Sequence, residues 1–478
     1  MVFSSLEFIY LFLPPVLIGF LCLRALKLES AIIWWLIMAS LVFYLCWSPK
    51  HLILLLFSIG FNYLIHLLLK QNRSKAVLTL GIIVNLGMLG VFKYADFFIG
   101  NFNAVTGYDA AELGLILPLA ISFYTFQQIS FLRDTYQDKL VDCDFKKYVL
   151  FVTFFPQLIA GPIVMQRDTI PQFTLGNFSN RYLTNIMTGA TLFSIGLFKK
   201  IVLADGIAPV ANAVFTMADQ GTHVPMEAAW LGAIAYTFQI YFDFSGYCDM
   251  ALGLALMFGI RLPINFNSPY RSLSIVEFWR RWHITLSRFL RDYLYIPLGG
   301  NRKGVRRTYI NLWLVFLISG LWHGDSWNFV IWGAYHGFWL VLERAFLIRA
   351  LKWLPAIFKV ALTFGIVMLG WLVFRIEDMG QLKTFVLSLA RFKTFGFELD
   401  ASEWFVLFLA IAFSFWNFSN RAQRWEQSIY STLTPKKAVV ISVVTLFLLF
   451  TSSAGVVSSE FNPFIYFSIY EKPRNKSN

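Results

Sequence analysis

The sequence predicts an all-α integral membrane protein, a polytopic helical bundle of about 11 to 13 transmembrane or re-entrant helices. Three observations predict it. Of 478 residues, 58% are hydrophobic and only 14% are charged, and the mean hydropathy is +0.62. A soluble chain of this length could not hide that much apolar surface from water. Apolar runs of about 20 residues, enough to span a hydrocarbon core at about 1.5 Å per residue, recur from end to end. The basic residues gather in the short loops between those runs, as positive-inside topology requires. The formal charge of +13 therefore reads as membrane orientation and not as a nucleic-acid footprint.

The spans fall near residues 6–23, 31–47, 51–69, 76–92, 114–132, 182–204, 228–259, 308–322, 327–349, 355–374, 403–419 and 437–454. The opening MVFSSLEFIYLFLPPVLIGFLCLRALK has no basic stretch and no small-residue cleavage site, so it is expected to remain as the first span. Residues 148–165 are apolar but carry Pro156, Gly161 and Pro162, which break a helix and favour a re-entrant segment buried in protein. Arg24 and Lys27 follow the first span and KQNRSK follows the third, placing the N-terminus outside. The segment 271–307 sets nine basic residues against Glu277 and Asp292, which assigns it to the cytoplasm. With no repeat, no low-complexity tract and no linker before the short polar tail EKPRNKSN, residues 1–478 form one membrane unit. Cys22, Cys46, Cys143 and Cys248 show no metal or disulfide spacing.

Within the basic segment, VEFWRRWHITLSRFLRDY divides at helical period into an apolar arc and a basic arc holding Arg280, Arg281, Arg288 and Arg291. An amphipathic cytoplasmic helix is predicted. Its arginines suit anionic lipid headgroups or a polyanionic ligand such as coenzyme A, and His283 falls at the seam between the two arcs.

The next segment, 309–342, carries YINLWLVFLISGLWHGDSWNFVIWGAYHGFWLVL. About 15 helical residues place His323 about 22 Å into the membrane. Gly324 follows as a helix stop, and Asp325 and Ser326 as a new N-terminal cap. A backbone break at that depth lines a cavity or is buried in protein. If the intervening chain were regular helix, His336 would lie about 15 to 20 Å from His323 along the axis, so no adjacent histidine pair is expected. QIYFDFSGYCDMALG places Asp243 and Asp249 inside an apolar run, where carboxylates imply function. They are expected either to line a substrate pathway or, for Asp243 or Ser245, to cap a helix restarted near Gly246. His51, His66 and His223 read as packing or interface residues. No phosphate-binding glycine loop, nucleophile elbow or metal-binding helix occurs, and no metal site is expected.

FWRRWHITLSRFLRDYLYIPLGGNRKG, followed by SGLWHGDSWNFVIWGAYHG with forty residues between His283 and His323, resembles the signature of membrane-bound O-acyltransferases. QIYFDFSGYCDMALG and FFPQLIAGPIVM are similar to two further family segments. IPLGGNRKG, the opening VFSSLEFIYLFLP and the closing NPFIYF resemble the alginate O-acetyltransferase branch, whereas FWxxWHxxLSxxxRDY is shared with the teichoic-acid D-alanylation branch. Cys248 departs from the family pattern, which has serine there. The resemblance covers essentially the whole chain.

It implies that His323 is catalytic and that His283 lines the same chamber. Imidazole suits a general base for acyl transfer to an alcohol, or a transient acyl-histidine; His283 would polarise the thioester carbonyl or hold the donor. His336, Asp243, Asp249 and Asp325 would line the tunnel or support it, and Arg280, Arg281, Arg288 and Arg291 would bind the donor. The implied donor is cytosolic acetyl-CoA, with no bound cofactor, reaching His323 through a central tunnel. The implied acceptor is an extracytoplasmic polysaccharide, alginate-like, cellulose or peptidoglycan, met directly or through a periplasmic SGNH-type partner. The implied setting is the bacterial inner membrane and its lipids. Acyl transfer to lipid or protein is the alternative. A transporter or flippase would need matched broken helices in two halves, which the chain lacks.

Overall fold

A computed structural model describes residues 1–47, 49–139, 143–222, 224–391, 397–415, 435–458 and 464–465. His223, the polar tail, residues 416–419 of the span expected near 403–419, and most of NPFIYF lie outside these residues. Among the described residues every regular element is helical. Seven helices among the described residues are long and apolar enough to cross a membrane: α1 (Glu7–Ala25), α2 (Glu29–Trp47), α3 (Pro49–Gln71), α4 (Lys75–Thr106), α7 (Tyr182–Asp219), α13 (Ala356–Arg375) and Val439–Val457, the apolar part of α15 (Pro435–Ser458). The other elements that matter below are α5 (Ile121–Tyr136), α6 (Phe145–Thr153), α8 (Met226–Met257), α9 (Ile275–Arg281), α10 (Ile284–Leu290), α11 (Val305–His323), α12 (Trp327–Leu342) and α14 (Ala401–Phe415). Large apolar side chains such as Leu11, Ile53, Val105 and Phe450 are exposed, a surface that lipid, not water, would cover.

The long helix α8 is the axis of the bundle. Tyr247, Met250 and Leu254 pack into an aromatic core shared with α1, α2, α6 and the chain after it. Phe238, Phe242 and Phe244 pack into a second core with α9, α12 and α13. The close crossing of α7 and α8 follows from glycine: Gly189 faces Gly253 and Gly196 faces Gly246, so that a Cβ on any of the four would strike the backbone opposite. Small residues let two membrane helices approach this closely, which gains dispersion contacts where no hydrophobic effect acts. This corrects the expectation of a helix restarted near Gly246. Helix α8 runs unbroken through it, so neither Asp243 nor Ser245 caps a restarted helix there.

The re-entrant segment has the predicted irregularity. Helix α6 ends at Thr153, Phe155–Leu158 adds a single turn, and the chain runs without helix to Met165, buried throughout. Its backbone donors find partners in other elements: the Phe155 N–H donates to Ser40 Oγ at 3.0 Å and the Ile163 N–H to Thr285 Oγ1 at 2.9 Å. Buried irregular backbone survives in a membrane only when satisfied in this way. In the N-terminal half, Asn62 and Asn85 exchange amide hydrogen bonds at 3.1 and 2.7 Å. His66 meets Thr135 at 3.0 Å.

Candidate active site

Helices α11 and α12 form the hairpin that carries the WHG sequence. Gly324 is extended, with φ −162° and ψ 170°, and the chain folds back so that Gly320 lies against Gly333 and the Phe329 carbonyl. Ser326 takes the N-cap position of α12, but its hydroxyl turns to Asn328 Oδ1 instead of a backbone N–H. Asn328 in turn donates to the Phe374 carbonyl at 3.0 Å, tying the hairpin to α13. Asp325 is half-buried in the link beside His323.

His323 is 3% exposed. Its ring adjoins Trp322 at 4.9 Å, Trp332 at 5.0 Å and Phe374 at 5.6 Å between centroids. His336 is fully buried against Trp279 and Trp332, at 5.0 and 4.9 Å. Both histidines therefore share Trp332 as a neighbour. A continuous helix would have held them much further apart, and the break at Gly324 is what brings α12 back along α11.

The basic segment differs from the predicted single amphipathic helix. Helix α9 ends at Arg281, and His283 adopts a left-handed conformation, φ 44° and ψ 53°, before α10 begins. That conformation is costly for a residue with a Cβ and persists because the surroundings over-determine it. The Ile284 N–H donates to the Asn265 carbonyl at 2.9 Å, and the Asn267 N–H to the Arg281 carbonyl at 2.9 Å. The kink turns His283 inward to full burial, with its ring 4.9 Å from Phe244 and 6.3 Å from Trp322. Burial pushes the His283 imidazole down to about 3, so the ring is uncharged near neutrality. Two histidines forty residues apart in sequence thus flank one indole. The start of α9 is held by Glu343, whose carboxylate accepts from the Ile275 N–H at 2.5 Å and the Val276 N–H at 3.3 Å.

Three of the four predicted donor-binding arginines are already ion-paired. Arg281 meets Glu277 at 2.7 Å, Arg288 meets Asp168, and Arg291 meets Asp292 at 2.8 Å. Arg167 also reaches Asp292 at 2.8 Å. Burial would raise the Asp292 carboxyl, but Arg291 and Arg167 outweigh it and hold it below the usual carboxylate range. Arg280 is exposed.

The two intramembrane aspartates form ion pairs with α7. Asp243 meets Lys200 at 2.8 Å, Lys200 meets Asp205 at 2.8 Å, and Asp249 meets Lys199 at 2.5 Å. Asp243 also accepts the Ile465 N–H at 2.9 Å. Sequence reading missed a residue much closer to His323. Lys93, at a widened turn of α4 (Gly90–Tyr94), is buried and donates to the Trp322 carbonyl, while Tyr94 donates to the Leu321 carbonyl at 2.5 Å. These carbonyls end α11, where a helix has no acceptors' partners of its own and where its dipole favours a cation. The signal was present as a lone lysine in an apolar run. Among the described residues no group of three His, Cys, Asp or Glu side chains could hold a metal.

A family model for the membrane-bound O-acyltransferases matches residues 135–375, the stretch that contains α6 to α13. The peptidoglycan O-acetyltransferase of Helicobacter pylori is 46% identical over 414 residues, covering 79% of this chain and 78% of that protein. A probable alginate O-acetylase of Azotobacter vinelandii is 44% identical over 396 residues, 79% of this chain and 76% of that one. The teichoic acid D-alanyltransferase of Bacillus subtilis is 29% identical over 278 residues, 54% of this chain and 69% of that one.

Proposed function

The chain belongs to the membrane-bound O-acyltransferase family, and from that premise we propose that it O-acetylates an extracytoplasmic polysaccharide with acetyl groups drawn from cytosolic acetyl-CoA. The acceptor class rests on the similarity to enzymes named for peptidoglycan and alginate. The donor follows from topology: the basic residues 302–307 at the start of α11 are assigned to the cytoplasm and His323 ends that helix, while the kink at His283 carries the middle of the same arginine-bearing segment inward to Trp322. The acetyl group passes to the glycan directly or through a periplasmic SGNH-type partner, in the inner membrane of a bacterium.

The observation that carries the reading is the convergence of His283 and His323 on Trp322. In the proposed step an acceptor oxygen attacks the thioester carbonyl carbon and the carbon–sulfur bond breaks. His323 takes the hydroxyl proton and returns it to the departing thiolate, so no net proton is consumed. Lys93 holds the backbone beside that imidazole. Trp322, Trp332 and Phe374 pack the His323 ring, so in the proposed tunnel substrate reaches it only when one of them turns aside. Arg280 is the arginine best placed to meet the donor's phosphates, since its neighbours are already paired.

The test is acetyl transfer from labelled acetyl-CoA by membranes containing the protein. His323→Ala is expected to abolish transfer while the protein accumulates normally. Acetylated polymer in that variant would reject His323 as the base, and an intact thioester with the unaltered chain would reject the enzyme reading.

A further inference from the structure

Asn265 lies in the chain between α8 and α9, outside any helix, and is buried. Its carboxamide oxygen accepts three hydrogen bonds: from the Thr285 N–H at 3.2 Å, from Thr285 Oγ1 at 2.9 Å, and from His283 Nδ1 at 3.2 Å. The identity of that oxygen is fixed by the backbone N–H, which can only donate. The Thr285 hydroxyl receives the Ile163 N–H at 2.9 Å, so its own proton points to Asn265. The amide nitrogen of Asn265 donates to Cys248 Sγ at 3.3 Å. An imidazole nitrogen facing an acceptor with no proton to give must itself carry the proton. His283 is therefore protonated on Nδ1. Its Nε2 is then a bare lone pair, fully buried and without a partner among the described residues.

A buried acceptor left unmet costs free energy, and such a group beside Trp322 points to a substrate donor that completes it. We propose that Asn265 is the positioning residue for His283, fixing it as a hydrogen-bond acceptor whose Nε2 receives an N–H or O–H of a substrate. Of the two roles open to His283 from sequence, this assigns holding and removes polarisation of the thioester carbonyl, because a neutral ring bare at Nε2 has no proton to offer an oxyanion. On the donor side the partner is an amide N–H of the thioester's pantetheine arm; on the acceptor side it is a sugar hydroxyl. The arrangement gives Cys248 a place: at the family's serine position, it receives the other end of the same carboxamide. The substrate part of the inference rests on the acyl-transfer reading above, whereas the tautomer does not.

The decisive experiment is the 15N spectrum of histidine-labelled full-length protein in lipid bilayers, with the His283 signals assigned by their loss in His283→Gln. Protonated Nδ1 and bare Nε2 are expected. A proton on Nε2 in the unaltered chain overturns the proposal whatever the enzyme's substrates are. The second arm measures acetyl-CoA binding and cellular glycan ester in Asn265→Leu, Asn265→Asp and His283→Phe. Asn265→Asp keeps an oxygen for Nδ1–H and for both Thr285 donors but sets a buried carboxylate against the imidazole, which favours a second proton on Nε2, so it is expected to lose the substrate interaction although the Nδ1 partner survives. Asn265→Leu should lose about tenfold or more, and combining it with His283→Phe should add nothing, since both remove one interaction. Weakened acetyl-CoA binding assigns the donor amide; normal binding with lost glycan ester assigns the acceptor hydroxyl. Additive losses, or an Asn265→Leu protein normal in both measurements, overturn the positioning role. Failure of the unaltered chain to bind acetyl-CoA sinks the donor assignment and leaves the spectrum to decide the tautomer.

Discussion

Lys200→Met separates a structural from a catalytic reading of the intramembrane carboxylates. Lys200 is 1% exposed, Asp243 2% and Asp205 11%, and the ammonium lies 2.8 Å from an oxygen of each. Removing it leaves two carboxylates facing one another inside the bundle. One-sided loss of a buried pair costs about 3–5 kcal/mol, whereas exchanging all its members for neutral groups of similar volume is often neutral or stabilising. Against a total stability of about 5–15 kcal/mol, the single variant should lose a large part of its resistance to unfolding, and Lys200→Met/Asp205→Asn/Asp243→Asn should regain most of it. Denaturant unfolding of detergent-solubilised protein measures both. The partial exposure of Asp205 puts the expected loss at the lower end of that range, because hydration there offsets part of the repulsion. A single variant as stable as the parent would refute the uncompensated-charge argument, and a triple variant no better than the single would show that packing had been lost instead. A third variant settles function. Asp243→Asn, normalised to folded protein, should acetylate at the parental rate, and a folded but inactive Asp243→Asn would return that carboxylate to the substrate path.

Lys93→Met removes a charge-assisted hydrogen bond worth about 1.5–3 kcal/mol from the end of α11; initial rates should show kcat falling about tenfold or more with little change in the donor KM, because the displaced group is His323 and not the donor site. Arg288→Ala strands Asp168 and should lower the melting temperature, whereas Arg280→Ala should leave melting unchanged and raise the donor KM; equal effects of the two would leave only headgroup binding for this cluster. Gly333→Val places side-chain atoms into the Phe316 carbonyl and Gly320, and should cost about 2 kcal/mol or more through overpacking, read as earlier thermal unfolding with parallel loss of activity.

The bundle was legible because lipid imposes a coarse, redundant code: span length, apolar content and loop charge all repeat the same message. The segment around Pro156, Gly161 and Pro162 was legible for the related reason that residues unable to continue a helix mark where one stops. What the code omits is pairing between elements. Asp243 and Asp249 announce themselves as costly residues in an apolar run, but nothing local says that Lys199 and Lys200 on α7 answer them. Lys93 likewise reaches a carbonyl more than two hundred positions later in the chain. A periodic wheel drawn through Trp279 to Tyr293 assumes unbroken helix, so it placed Arg281, Arg288 and Arg291 in one open basic arc, when each has an acidic neighbour.

His283 shows why the chemistry lay furthest from view. Its left-handed backbone is a conformation that residue type argues against, and no propensity or period signals it. It exists because Asn265 supplies a carbonyl to Ile284 and a carboxamide to the imidazole, while Ile163, from the re-entrant segment, orients Thr285 against that same carboxamide. Three stretches of chain that looked separate in sequence thus settle one proton. The two histidines could be named from the signature alone; which nitrogen of His283 is available to a substrate could be read only from where every neighbouring hydrogen already goes.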